Sequence, residues 1–261
     1  MMRDRQAEIL RSVEDGVRRV EDLAAALRIS PSTVRRDLTD LERAGRVVRT
    51  HGGAVPAGGE QSWQQKSRRH APAKRAIAAR AADLVTDGDT VLLGAGSTST
   101  LIAENLVDRS GVSVYTNGIG ALLALREAEG IEVCVLGGSV RRRTGAIIGA
   151  AARHALQRIS VDLAFLGADG FVPGRGINTL TEELAELKEV KLRSARHSVV
   201  TADSSKIGCE PHRFWAPVSG PYTVITDDGL SDTAAAALRG DGDCTLIVVP
   251  DPVAGRTEGE A

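Results

Sequence analysis

Three short apolar stripes at helical spacing open the chain. Ile9, Leu10 and Val13 mark a first helix, which Asp15-Gly16 ends. Val20, Leu23, Ala24 and Leu27 mark a second, and Arg28-Ile29 turns the chain into a third. There Val34, Leu38 and Leu41 form the buried stripe. Ser30 caps its start, and Pro31 takes the first helical position, where no amide hydrogen is needed. Gly45 closes the helix. Arg46–His51 follows as a short strand, with Gly52-Gly53 as its tip or return. Three helices and a β-hairpin over residues 1–55 predict a winged helix-turn-helix. A domain that small is marginal alone, which favours attachment to something larger.

Residues 56–71 lose all periodicity. Pro56-Ala57-Gly58-Gly59 followed by Lys66, Arg68, Arg69 and His70 reads as a solvated connector rather than a second DNA contact. From residue 72 the pattern changes again. An Ala-rich helix over 73–85 precedes a buried strand, Thr90–Leu93, that stops at Gly94-Ala95-Gly96. Strands at 112–115, 131–136, 161–166, 198–202, 222–226 and 245–249 alternate with helices near 98–106, 119–128 and 181–195, and with a short one before the last strand. Such alternation predicts an α/β domain over 72–252, a doubly wound, mostly parallel sheet covered on both faces. The end, 253–261, reads as a disordered tail.

Charge narrows the role of the first domain. The chain has 33 Lys and Arg against 34 Asp and Glu, so any DNA affinity must come from a local patch. The third helix supplies one. At about 100° per residue, Ser32, Arg36, Thr39 and Arg43 fall opposite the buried stripe, with Arg35 on its flank. Guanidinium and hydroxyl groups read guanine edges and grip phosphates. Ser32, Thr33, Arg35, Arg36, Thr39 and Arg43 on the helix, with Arg49 and His51 on the wing, are the candidate contacts to double-stranded DNA. Arg36 is the first choice for base readout. Arg35 suits base or phosphate, and Arg43, Arg49 and His51 suit phosphates. The three cysteines, Cys134, Cys209 and Cys244, have no paired spacing and predict reduced thiols in a cytoplasmic protein. No apolar run follows Met1-Met2-Arg3, and none reaches membrane-spanning length, so neither a signal peptide nor a membrane partner is expected.

In the second domain, glycines and polar residues gather just after the apolar strands, at the sheet edge where α/β proteins bind ligands. Gly96, Ser97, Thr98 and Ser99 place hydroxyls and free amides at a helix start, suited to phosphate. Thr116, Asn117, Gly137, Gly138, Asp169, Lys188, Asp203 and Lys206 complete the candidate set: lysines to add positive charge, aspartates to accept from hydroxyls. A sugar phosphate meets that description. A dinucleotide loop does not, since Ser99 stands where a third glycine is needed. Gly137-Gly138 alone reads equally as a turn, and Asp203 with Lys206 as a helix cap. Cys209-Glu210-Pro211-His212 lacks the partners for a metal site, and Arg141-Arg142-Arg143 fits a phosphate clamp or an exposed loop. No metal and no cofactor is called for.

Both halves resemble the DeoR family of bacterial transcriptional regulators. The likeness rests on Ser32-Thr33-Val34-Arg35-Arg36-Asp37-Leu38 paired with Arg49-Thr50-His51-Gly52-Gly53-Ala54. It continues through Gly96-Ser97-Thr98, Thr116-Asn117, Gly137-Gly138, Asp162–Gly170, Lys188 and Asp203–Gly208. The resemblance implies a repressor of sugar catabolism relieved by a phosphorylated sugar, with a sensor domain folded like ribose-5-phosphate isomerase. Two positions depart from the family pattern: Gly94 and Leu184 stand where carboxylates are usual. Fewer acceptors for sugar hydroxyls imply a smaller or more heavily phosphorylated effector. An isomerase with an accessory DNA-binding domain is the rival reading, and the missing carboxylates count against the general base it needs. A sensor domain that only oligomerises is the third. A single winged helix makes too few contacts for genomic specificity, so a homodimer or homotetramer is expected.

Overall fold

The computed structural model describes residues 2–15, 17, 19–44, 46–50, 52–56 and 61–251. Gly45, His51 and the expected tail at 253–261 lie outside the described residues. The chain divides into two compact units, residues 1–65 and 66–261.

The first unit contains α1 (Met2–Asp15), α2 (Val20–Leu27), α3 (Pro31–Arg43), β1 (Val47–Thr50) and β2 (Gly53–Pro56). Arg28 adopts a left-handed conformation that ends α2, and Ser30 accepts the Thr33 amide at the start of α3. The strands pair antiparallel, with Arg49 opposite Ala54 and Thr50 opposite Gly53. Gly52 in the return has φ +82°, a region that costs glycine least. One apolar cluster, led by Ile9, Leu23, Val34 and Leu38, holds the helices to the wing.

The expected connector at 56–71 is corrected in its second half. Helix α4 (Trp63–Arg68) forms there, and α5 (Ala71–Ala82) begins at its end. The Ser62 hydroxyl accepts the Gln65 amide while the Gln65 side chain accepts the Ser62 amide, a reciprocal cap that starts α4. His70, at φ +48°, separates the two helices.

The second unit continues through β3 (Thr90–Leu93), α6 (Ser97–Leu106), β4 (Val112–Thr116), α7 (Ile119–Leu125) and β5 (Ile131–Val135). A hairpin of β6 (Ser139–Arg141) and β7 (Ala146–Ile148) leads to α8 (Ala150–Leu156) and β8 (Val161–Gly167). Next come β9 (Gly170–Val172), β10 (Gly176–Thr179), α9 (Glu182–Ser194) and β11 (Ala195–Thr201). The chain then adds β12 (Phe214–Ala216), β13 (Tyr222–Asp227), α10 (Asp232–Gly240) and β14 (Cys244–Val249).

Seven strands form one parallel sheet in the order β14-β13-β11-β8-β3-β4-β5. Successive side chains alternate between faces. Leu92 joins the cluster that includes Leu156, Leu187 and Leu238, from α8, α9 and α10. Val91 and Leu93 join the other, with Ile77, Ile102 and Leu125 from α5, α6 and α7. This is the doubly wound sheet that the alternating pattern predicts. Helix α8, the β6–β7 hairpin and the small sheet β12-β10-β9 are additions, each built from segments too short to carry a readable period.

The order fixes where a ligand can enter. From β3 the chain runs one way to β4 and β5, then returns to the other side of β3 for β8 and onward. The direction reverses between β3 and β8, and the crevice past their carboxyl ends is the topological switch point.

Candidate functional site

In the first unit the α3 stripe is buried as expected, and one further residue is buried with it. Asp37 is 1% exposed and takes two hydrogen bonds from Arg5, at 2.6 and 3.0 Å, which tie α3 to α1. Its spacing from Val34 and Leu41 puts it on the core face, and that phase was the available signal. Ser32, Arg35, Arg36 and Arg43 are exposed on the other side, with Thr33 and Thr39 half-buried. Arg35, Arg36, Thr39 and Arg43 line one shallow depression together with Asp40. Arg35 reaches Glu21 at 3.2 Å in an exposed pair, a contact weak enough to leave its charge available.

Arg49 departs from the expected phosphate-gripping side chain. Its guanidinium donates to the Gly53 carbonyl at 3.1 Å, to the Arg35 carbonyl at 3.2 Å and to the Thr39 hydroxyl at 3.4 Å. It therefore braces the wing against α3. His51 lies outside the described residues.

In the second unit, expected residues stand at the ends of four contiguous strands, β11, β8, β3 and β4. Gly94–Ser99 follows β3, Asp169 follows β8 and Asp203–Lys206 follows β11, while Thr116-Asn117 closes β4 beside them. Gly94 sits where its amide donates to the Phe165 carbonyl at 3.0 Å, and a Cβ there would meet that oxygen at 3.3 Å. At the start of α6 the first amides have no carbonyl one turn earlier and face the crevice edge unpaired within the helix. The Ser99 hydroxyl, 1% exposed, has no hydrogen-bond partner.

Around this opening the chain gathers lysines from several elements. Lys66 of α4 lies 2.6 Å from Asp169, and His212 lies 3.7 Å from the same carboxyl. Lys188 donates to the Gly167 carbonyl at 2.5 Å. Lys206 lies 3.3 Å from Asp203. The Lys74 ammonium, from α5, donates to the carbonyls of Lys66 and Arg69 at the end of α4. Burial pushes Lys188 down to about 8 against the pull of Asp169. Burial, then the charge of Lys206, push Lys74 down to about 7. Burial, then Lys188, push Lys191 down to about 7. For Asp169 burial acts upward, but Lys66 and Lys188 outweigh it and hold the carboxyl well below the usual range. Asp203 behaves alike, with Lys206 and Lys74 outweighing its burial.

Lys66, Lys74, Lys191 and His212 all stand among these groups, and sequence reasoning assigned none of the four to the site. Some expected residues serve the framework instead. The Thr116 hydroxyl donates to the Leu93 carbonyl and accepts the Gly118 amide. Asn117 bonds to the Ile147 backbone and accepts from Lys191 at 2.5 Å, so it positions that lysine. Gly137 and Gly138 follow β5, the outermost strand, two places from β3, or roughly 10 Å. A Cβ on Gly138 would strike the Ile148 carbonyl at 2.2 Å, so the β6–β7 hairpin requires that glycine. Leu184 packs on the apolar cluster beneath α9. Cys209 donates its thiol proton to the Ser205 carbonyl, while His212 turns to Asp169.

A family model for the DeoR C terminal sensor domain matches residues 69–228, and one for the DeoR-like helix-turn-helix domain matches residues 5–57. The chain belongs to the DeoR family of transcriptional regulators. An HTH-type transcriptional regulator GlpR of Haloferax volcanii is 35% identical over 97% of this chain and 98% of its own. A putative aga operon transcriptional repressor of Escherichia coli O157:H7 is 32% identical over 94% and 93%. A lactose phosphotransferase system repressor of Streptococcus mutans is 34% identical over 81% and 86%. Among solved structures, a ribose 5-phosphate isomerase of Methanocaldococcus jannaschii overlaps 51% of this chain and 52% of its own, at 23% identity and a TM-score of 0.37. This DeoR-family chain is a DNA-binding transcriptional regulator with a sensor domain. No helix among the described residues is long and apolar enough to cross a membrane.

Proposed function

We propose that the protein represses carbohydrate-metabolism genes and releases its operator when a phosphorylated sugar fills the crevice between β3 and β8. The observation that carries this reading is the convergence of Lys66, Lys188 and Lys206 on the same edge as the open amides of α6 and the unpartnered Ser99 hydroxyl. Amides and ammonium groups hold the phosphate, while Asp169 and Asp203 accept from sugar hydroxyls. The repressor names of the aga operon and lactose phosphotransferase relatives support the same reading. Neither carboxyl suits the general base of an isomerase, since lysines hold both deep in the ionised range where they attract protons weakly. Sensing rather than catalysis is the role proposed.

No carboxylate stands at position 94 or 184, and Lys74 and Lys191, which burial leaves near 7, gain positive charge when an anion binds beside them. That balance favours a compact or multiply phosphorylated effector over a large monophosphate. On DNA, α3 enters the major groove with Arg36 reading a base, and the protein acts in the cytoplasm as a homodimer or homotetramer on paired half-sites. Fluorescence anisotropy on the promoter DNA beside the protein's own gene, challenged with a panel of sugar phosphates at fixed salt, tests the reading. Release by one compound is the expected outcome. Tight binding that no sugar phosphate disturbs removes the sensor assignment and leaves the DNA assignment standing.

A further inference from the structure

We propose that Lys66 is an effector ligand supplied by α4, and that its exchange between Asp169 and the effector's anionic group carries pocket occupancy into the segment joining the two units. The inference rests on the anion-site reading above. Helix α4 spans residue 65, where the chain divides, so whatever grips its second half acts at the start of the sensor unit.

Lys66 makes three contacts in that half, and each one reaches a residue of the crevice. The Lys66 ammonium meets Asp169 past β8 at 2.6 Å. The Lys66 carbonyl accepts the Ser97 hydroxyl at 3.4 Å, at the first residue of α6. The same carbonyl, with that of Arg69, accepts from Lys74, which is 1% exposed and thereby caps the carbonyl end of α4. Lys66 thus touches both lips of the switch point. An anion seated on the α6 amides attracts the ammonium groups of Lys66 and Lys74, repels Asp169 and competes for the Ser97 hydroxyl. It acts on all three contacts together.

The exchange is feasible because Asp169 is supplied in excess. Lys188 and His212 face it as well as Lys66, so losing Lys66 leaves no orphaned charge. Lys66 is also 24% exposed, so a ligand can reach it. A coupling that trades such contacts falls in the ordinary allosteric range of about 5–150-fold.

Hydrogen exchange of the full-length protein with ribose 5-phosphate and with inorganic phosphate tests the proposal, alongside calorimetric titration of each compound. In the wild type, ligand is expected to slow exchange at the start of α6 and quicken it several-fold across 63–68. Lys66→Gln is expected to weaken the ligand about tenfold and abolish the α4 response while the α6 response persists. Lys66→Arg should restore both, and matched melting curves establish that the variants fold. Asp169→Asn gives an independent reading, since it frees Lys66 without ligand and should quicken α4 exchange in advance. Ligand binding with an α4 response that is unchanged in Lys66→Gln, or absent in the wild type, overturns the proposal. If neither compound touches α6 in the wild type, the anion-site reading fails and the proposal with it.

Discussion

The recognition helix and the sensor crevice place their working groups on opposite sides of the burial divide. In α3 the side chains offered to a partner are those the core leaves over: Val34, Leu38 and Leu41 point inward, and Ser32, Arg36 and Arg43 stay exposed. In the sensor unit the chemistry is buried. Lys74, Asp203 and Ser99 are each 1% exposed and are held by the ends of strands and helices from both faces of the sheet. A surface helix can change its reading residues without disturbing its fold. A buried edge cannot, because each ammonium there also caps a carbonyl or balances a carboxylate. DNA recognition and effector recognition should therefore respond differently to mutation.

The largest expected effect separates the units outright. Leu38 is fully buried in the small first core. Leu38→Ala is expected to cost about 2–5 kcal/mol, comparable with the whole stability of a unit this size. Calorimetry should show the first unit's transition lost or shifted far down, with DNA binding abolished. The second unit's transition, and its upward shift with effector, should remain. Loss of both transitions together would mean that the units fold as one.

That contrast also explains what could be read in advance. The winged helix was legible because a helix with one buried stripe declares its exposed face by elimination. The sheet was legible because apolar strands recur between helices. The crevice was only half legible. Gly94–Ser99, Asp169 and Asp203–Lys206 announced themselves by standing after strands, while Lys188, inside α9, stood out by its charge. Lys74 sits in an Ala-rich helix and Lys66 in a charged, non-periodic stretch, and both settings read as solvent. Position along the chain says nothing of a contact between Lys66 and Asp169, 103 residues apart. One signal was present and overlooked: Ser62 and Gln65, three apart, form the reciprocal cap that announces α4. The strands β9, β10 and β12, three or four residues long, gave none.

Within the DNA-binding unit the next effect sharpens the division of roles between helix and wing. Arg36→Ala is expected to cost about 1–3 kcal/mol on operator DNA and to blur preference at one base pair. Arg49→Ala removes three internal hydrogen bonds that hold the wing to α3. It should weaken binding to operator and random DNA alike, and lower the melting temperature of the first unit, which Arg36→Ala leaves unchanged. Binding titrations on both DNAs, paired with melting curves, check this. An Arg49 variant with full thermal stability would return Arg49 to the phosphate-gripping role.

The smallest effect belongs to the sensor unit and follows from its buried lysines. In the free protein Lys74 and Lys191 stand near 7 and Lys188 near 8, so each is part neutral at physiological pH. A bound phosphate favours the ammonium form and raises these values, so binding takes up protons. Affinity must then fall as pH rises through the 7–8 window, by up to about tenfold per pH unit for each proton taken up. The ligand's own titration runs the other way but is nearly complete for a phosphate monoester such as ribose 5-phosphate, whose second ionisation lies near 6. Ribose 5-phosphate should therefore bind about three- to tenfold more weakly at pH 8 than at pH 7. Operator affinity read at Arg36 should change far less, because guanidinium groups do not titrate there. Calorimetry in two buffers of different ionisation enthalpy measures the proton uptake directly. A ribose 5-phosphate affinity flat from pH 7 to 8, with no proton uptake, would mean that these lysines are already charged before the ligand arrives.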